Sequence, residues 1–319
     1  MPKLGLVAFA VAFSLVWSSA FIIAKIALVR FDPATLLALR FGASALLLAP
    51  FAARDAARVG LIVGALNNAA YLGLTFCALQ LTRPVVVVGI VSCAPFVTGG
   101  LAAAFGIETV KPSQFAGFAL GLIGVALVTG FDLTGASVEG VALAAVGVLA
   151  FSAATLILRA RGGGRSALAL NFWQSLAGAG LLAPFALANG HALTEISGAR
   201  PFEPSVLALL YLVVVVTLLG MAMWLRLIRI AGAAGASACH LMNPLFGALL
   251  AWAMLGSPLR LADFLGAAAI AAGQSRALGF ESRPRLRGGR IASLPAAQTR
   301  EAFNRVYASD KNYTSACVP

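Results

Sequence analysis

Three apolar stretches carry amides, hydroxyls and an imidazole at helical spacing. Asn67, Asn68, Tyr71 and Thr75 lie in the first, with Asn68, Tyr71 and Thr75 three and four apart. Asn171, Gln174, Ser175 and Gly178 lie in the second, and Ser237, His240, Asn243 and Gly247 in the third. Such spacing puts side chains on one helix face. An amide offers donors and acceptors and a neutral imidazole one of each. A face of this kind either pairs with a neighbouring helix or lines a wet cavity that holds a polar solute. Amides are costly to bury unpaired, so Asn67, Asn68, Tyr71, Gln174, His240 and Asn243 are the candidates for one central cavity. Ser14, Trp17, Ser18, Phe21 and Lys25 form a further face, and Ser152, Thr155 and Arg159 another. Trp17, Tyr71 and Trp173 could supply aromatic walls; Trp224, near Arg226, suits an interfacial or packing role.

Arg40 and Lys25 are cations inside apolar stretches. Each could bind a substrate carboxylate or simply snorkel. Pro95 and Pro244 stand mid-stretch; each lacks an N–H, so the carbonyls of Val91 and His240 lose their helical partner and could face a ligand. The carboxylates point the other way. Asp32, Asp55, Glu108, Asp132, Glu139, Glu195, Glu203 and Asp263 all fall near the ends of apolar runs, which leaves His240 as the one central group able to titrate. There is no Walker motif, HExxH, paired-cysteine cluster or hydrolase elbow, so no catalytic residue, metal site or cofactor is expected. Cys77, Cys93 and Cys239 sit in apolar runs and read as small buried hydrophobes.

The elements that position these residues follow from composition. Hydrophobic residues make up 61% of the 319 and charged residues 11%, with a mean hydropathy of +0.94. A soluble chain is nearer half apolar and a quarter charged, so the lipid bilayer is the expected surroundings. Apolar runs recur at 4–28, 33–53, 59–80, 84–106, 112–131, 138–158, 168–188, 205–229, 233–255 and 261–278. The expected fold is all-α with ten transmembrane helices. Asp32-Pro33, Arg54-Asp55, Lys111-Pro112, Arg161 to Arg165 and Ser257-Pro258 read as helix ends. The first run is too long for a signal-peptide core and is expected to be a retained helix.

The net charge of +12 does not point to nucleic acid, because Lys and Arg are sorted between loops. With the N-terminus inside, Lys3, Arg54, Arg58, Lys111, Arg159, Arg161, Arg165, Arg226 and Arg229 are cytoplasmic, and Arg30, Arg83, Arg200 and Arg260 are outside. The excess inside predicts both termini in the cytoplasm. The tail, 279–319, is basic and reads as disordered, able to rest on anionic lipid.

The two halves overlay. An offset of 134 places Trp17-Ser18 on Phe151-Ser152, Lys25 on Arg159 and Leu48-Ala49-Pro50-Phe51 on Leu182-Ala183-Pro184-Phe185. An offset of 149 places Pro95 on Pro244, Glu108 on Ser257, Lys111 on Arg260, Gly117 on Gly266 and Gly124 on Gly273. Five runs per half is an odd number, so the second half, 138–278, must enter the membrane opposite to the first, 1–131. Inverted five-helix repeats of this kind are a transporter architecture with a cavity between the halves. The glycine stripes of the fifth and tenth runs fit close packing, within the chain or across a homodimer.

These residues also resemble a known family. Trp17-Ser18-Ser19-Ala20-Phe21 with Lys25, Arg40-Phe41, Pro95 followed by Gly106-Ile107-Glu108, and Asn243-Pro244 with Leu255-Gly256-Ser257-Pro258-Leu259 resemble EamA-type permeases of the drug/metabolite transporter superfamily. One departure stands out: Ser257 occupies the place where a second Glu is usual. The resemblance covers about 1–275. It implies secondary transport, usually export, of small metabolites such as amino acids across a bacterial inner membrane, with a small-molecule substrate and no cofactor. The alternatives are a nucleotide-sugar or organic-phosphate exchanger, which needs several central cations, an integral membrane enzyme, or a non-transporting scaffold.

Overall fold

A computed structural model describes residues 3–82, 84–130, 136–190, 192–255 and 260–278. Met1–Glu281 form one unit and Ser282–Pro319 a second. The basic tail at 279–319 and the turn holding Ser257 lie outside the described residues.

Among the described residues the regular structure is all helical. In chain order the α-helices are α1 (Lys3–Ala27), α2 (Pro33–Leu48), α3 (Ala57–Val63), α4 (Leu72–Leu81), α5 (Pro84–Val91), α6 (Ala94–Ala104), α7 (Pro112–Thr129), α8 (Val138–Arg161), α9 (Ala167–Ala188), α10 (Ala192–Ser197), α11 (Pro204–Tyr211), α12 (Met221–Ala238), α13 (Asn243–Leu255) and α14 (Leu261–Ala277). Among the described residues, seven helical stretches are long and apolar enough to cross a membrane; one of them, Pro204–Leu250, runs over several of these elements. A helix closes its backbone hydrogen bonds internally, which is what lipid demands.

The helix ends follow local chemistry. Asp32 caps α2 by accepting from the N–H groups of Ala34 (2.8 Å) and Thr35 (3.2 Å), with Pro33 at the first helical position. Gln114 accepts from the Lys111 N–H at the start of α7 (3.1 Å), and Ser137 accepts from Gly140 at the start of α8 (3.2 Å).

Corresponding places in the two halves break in corresponding ways. A π-helical stretch, Gly64–Tyr71, joins α3 to α4, and another, Leu212–Gly220, joins α11 to α12. A turn at Ser92–Cys93 separates α5 from α6, and a 3-10 turn, Cys239–Met242, separates α12 from α13. Pro95 and Pro244 thus stand at the second position of a new helix rather than inside a kinked one. There the missing N–H interrupts no hydrogen bond.

The α7–α14 contact is backbone on backbone. A Cβ built on Gly117 would lie 2.6 Å from the Gly273 carbonyl, and one on Gly273 would lie 2.5 Å from the Gly117 carbonyl. Gly124 and Gly266 face each other in the same way, at 2.6 and 2.7 Å. The helices run antiparallel. The stripes left open between chain and dimer are thus used within the chain.

Candidate substrate site

Helix α9 is held against the α3–α4 stretch by two glycines. A Cβ on Gly60 would lie 2.4 Å from the Trp173 Cβ, and one on Gly64 would lie 2.3 Å from the Gln174 carbonyl oxygen. One turn on, Asn68 Nδ2 donates to that carbonyl (3.1 Å), and Asn67 Nδ2 donates to Asn68 Oδ1 (2.9 Å). On the same helix Asn171 Nδ2 donates to the Thr217 carbonyl (2.9 Å). The Thr217 hydroxyl accepts from Arg40 Nε (2.7 Å) and donates to the Leu212 carbonyl five residues back (3.0 Å). The π-helical stretch therefore turns Thr217 toward α2 and α9.

A second group forms where α12 gives way to α13. His240, 2% exposed, sits among four aromatic rings, with centroid distances of 5.0 Å to Phe151, 5.2 Å to Trp224, 5.5 Å to Trp17 and 6.0 Å to Phe13. Its Nδ1 lies 3.1 Å from Asn243 Nδ2, and Asn243 Oδ1 accepts from Ser18 Oγ (3.2 Å). With the amide donating to Nδ1, the imidazole proton belongs on Nε2. Ser14 Oγ donates to the Cys239 carbonyl at 3.1 Å, fixing the turn from the α1 side.

Of the expected residues, Asn67, Asn68 and Gln174 gather in the first group with Arg40, and Trp17, Ser18, His240 and Asn243 in the second. Tyr71 joins them: its ring is 5.1 Å from Phe151, which also touches His240. Pro95 and Pro244 set helix starts. Trp173 is turned to the connection between α2 and α3, where its indole N–H donates to the Ala53 carbonyl (2.9 Å). Trp224 is buried in the aromatic group, the packing role among those expected for it. Buried polar groups in folded chains are nearly all hydrogen-bonded. Here both side-chain polar atoms of Gln174, the Nε2 of His240 and the hydroxyl of Thr75 are buried without a partner. A cleft of about 600 Å³ also opens between α2, α4 and α9, lined by Leu37, Ala69, Gly73, Phe76, Leu182 and Phe185 among others. None of the expected residues lines it.

The sequence profile of the EamA-like transporter family matches twice, over residues 4–130 and again over 138–275. The chain belongs to the EamA-like transporter family. It is a multi-pass membrane transporter of the drug/metabolite transporter superfamily built from two repeats, as the resemblance implied. A solved structure described as "Crystal structure of protein" superposes with a TM-score of 0.71 and 20% identity, over 86% of this chain and 97% of its own. At that identity the likeness speaks for the fold alone. No curated protein matches the sequence.

Polar ties join separate segments of this EamA-like transporter at two sets of helix ends. At one, the Glu108 carboxylate pairs with Arg159 Nε (2.5 Å) and accepts the N–H groups of Ala233 (2.9 and 3.0 Å) and Ala234 (3.3 Å). It caps the helix that restarts after Gly232, whose φ of 81° breaks α12. At the other end Arg30 pairs with Glu203 (3.2 Å) and donates to the Glu195 carbonyl (3.0 Å), and the Asp32 N–H meets the Glu195 carboxylate (3.2 Å). Glu108 was legible in the sequence as a residue near a helix end; its partners, more than a hundred residues away in Ala233 and Ala234, were not.

Proposed function

We propose that this EamA-like transporter exports a small polar or amphipathic metabolite, amino acids among them, by alternating access. The two halves are five-helix repeats inverted in a bacterial inner membrane, with ten crossings and both termini in the cytoplasm. The observation that supports this reading best is the exchange of partners between α7 and α14. Gly117 meets Gly273 while Gly124 meets Gly266, and the offset of 149 pairs Gly117 with Gly266 and Gly124 with Gly273. Such reciprocal contact between equivalent, antiparallel helices fits a two-fold axis across them, in the membrane plane. Two equivalent halves can exchange roles, so one packing opens inward and its mirror outward.

The expected central site is Asn67, Asn68, Tyr71, Gln174, His240 and Asn243, with Trp17, Ser18, Arg40 and the helix starts at Pro95 and Pro244 around them. The unmet hydrogen-bonding atoms of Gln174 and His240 support it. With both ends tied, the described packing suits an occluded stage of the cycle, which opens when one tie releases. An organic-phosphate exchanger would need more central cations: Lys25 lies exposed in the last turn of α1, leaving Arg40.

Counterflow in liposomes containing the purified protein tests the reading. Labelled amino acid should accumulate against an internal pool of the same compound, in protein-containing vesicles only. A reporter fused to the C-terminus should be active in the cytoplasm; activity confined to the periplasm would overturn the orientation.

A further inference from the structure

We infer that Arg40 is an anion anchor, so that the cargo of this transporter must carry a free carboxylate. The inference rests on the transport reading above and narrows it. Arg40 lies midway along α2, is 8% exposed, and has the Phe41 ring beneath its guanidinium carbon at 5.4 Å. Among the described residues no carboxylate pairs with it. Its one hydrogen bond leaves through Nε, to Thr217. Neither Nη has a described partner, and together they carry four N–H groups.

A guanidinium does not shed its charge, and a cation inside lipid snorkels, pairs with a carboxylate or carbonyls, or faces a wet cavity; Arg40, buried midway along α2, does not snorkel. Thr217 does not neutralise the charge; it orients it. The hydroxyl accepts from Nε and is itself held by the Leu212 carbonyl, while the Thr217 carbonyl takes the Asn171 amide. The edge of the fork is thereby fixed from two neighbouring helices, and its outer face, the two Nη groups, has no described hydrogen-bond partner. A planar carboxylate meets that face with two parallel N–H···O bonds. The same α9 side presents Gln174, whose amide nitrogen and oxygen are both buried without a partner. That is a second unmet demand suited to the polar substituent of an amino or hydroxy acid.

The test uses matched compounds on the full-length protein in liposomes: L-leucine against L-leucinamide, and L-phenylalanine against phenethylamine, with a lipophilic cation and a neutral sugar as non-acid cargo. The parent should move the free acids at least about tenfold faster than their partners, since a site built for one polar group rejects the analogue lacking it. Arg40→Gln should lose that discrimination and Arg40→Lys keep part of it as a point charge. Arg54→Gln, on the exposed turn before α3, should change nothing. If Arg40→Gln does not fold, Thr217→Val keeps the charge but frees the fork, and should weaken discrimination while leaving the melting transition cooperative. Equal or faster transport of the amide and amine, or transport of the cation or sugar alone, would overturn the anchor and leave the transport reading intact. Unchanged discrimination in a folded Arg40→Gln would overturn it as well. Transport of none of these compounds would overturn the amino-acid cargo proposed above, and the anchor with it.

Discussion

The Glu108 carboxylate of the first repeat caps the helix of the second that begins at Ala233, accepting its N–H at 2.9 and 3.0 Å. Arg159, at the far end of α8, completes the contact through Oε1, the oxygen 2.9 Å from the Ala233 N–H, and also donates to the Ile228 carbonyl (3.4 Å). One carboxylate thus joins three segments, α6 and its following turn, α8, and the break in α12. The offset of 149 pairs Ala233 with Pro84. A proline at a helix start has no N–H to satisfy.

Glu108→Ala should remove both a cap and an ion pair, lowering the unfolding free energy by about 1–2 kcal/mol. A double-mutant cycle with Arg159→Ala, read by thermal unfolding in detergent, should give a coupling on the order of 1 kcal/mol. Additive single-mutant effects would mean that the two side chains are not coupled in the folded protein.

Gly232 has a φ of 81°, and a Cβ there would lie 2.7 Å from the Glu108 carboxylate. Gly232→Ala should therefore destabilise by roughly 1–3 kcal/mol. Gly100→Ala, in α6 with nothing within 4 Å, should be neutral or stabilising by up to about 1 kcal/mol. Equal melting shifts for the two would contradict the strained break.

The α7–α14 contact predicts matched effects at matched positions. Gly117→Ala and Gly273→Ala each push a methyl into a carbonyl at 2.5–2.6 Å and should lose about 1–3 kcal/mol. Gly124→Ala and Gly266→Ala should fall in the same range. A loss at one pair alone, measured by thermal unfolding, would break the equivalence of the two helices.

Asp32 links stability to acid. Burial acts to raise its pKa, but hydrogen bonds from the Thr35 side chain and backbone, the Ala34 N–H and the Asn189 amide outweigh it and hold the carboxyl below its ordinary value. A folded value below the unfolded one contributes stability that is complete above the unfolded pKa and disappears as pH falls through the folded one. Below about pH 4 the parent's melting temperature should therefore drop more steeply than that of Asp32→Asn. Parallel profiles would show that the cap makes no charged contribution.

His240 is the titratable side chain within the central aromatic group, and its Nε2 is unpartnered. If a pH gradient drives transport, His240→Ala should abolish that dependence while substrate exchange continues. A His240→Ala protein still driven by protons would place the coupling group elsewhere.

The helical class, the bilayer, the doubled chain and the helix starts at Asp32-Pro33 and Lys111-Pro112 were all legible in the sequence. Each depends on forces that act within a turn or within one run of residues: apolar transfer, capping by the nearest side chain, and the missing N–H of proline. Spacing also put Asn171 and Gln174 on one face of α9. Only the tertiary structure decided what that face meets. Asn68 reaches the Gln174 carbonyl because Gly60 and Gly64 let two backbones approach, and Thr217 turns toward Arg40 because the helix widens at Leu212–Gly220. Such partners lie far apart in sequence. The stripe at Gly117 and Gly124 announced a close contact, but its partner, Gly273 and Gly266 rather than a second copy, is set by which helices pack side by side. That choice belongs to the whole assembly of helices, where every small residue competes for a neighbour, and no local pattern encodes it.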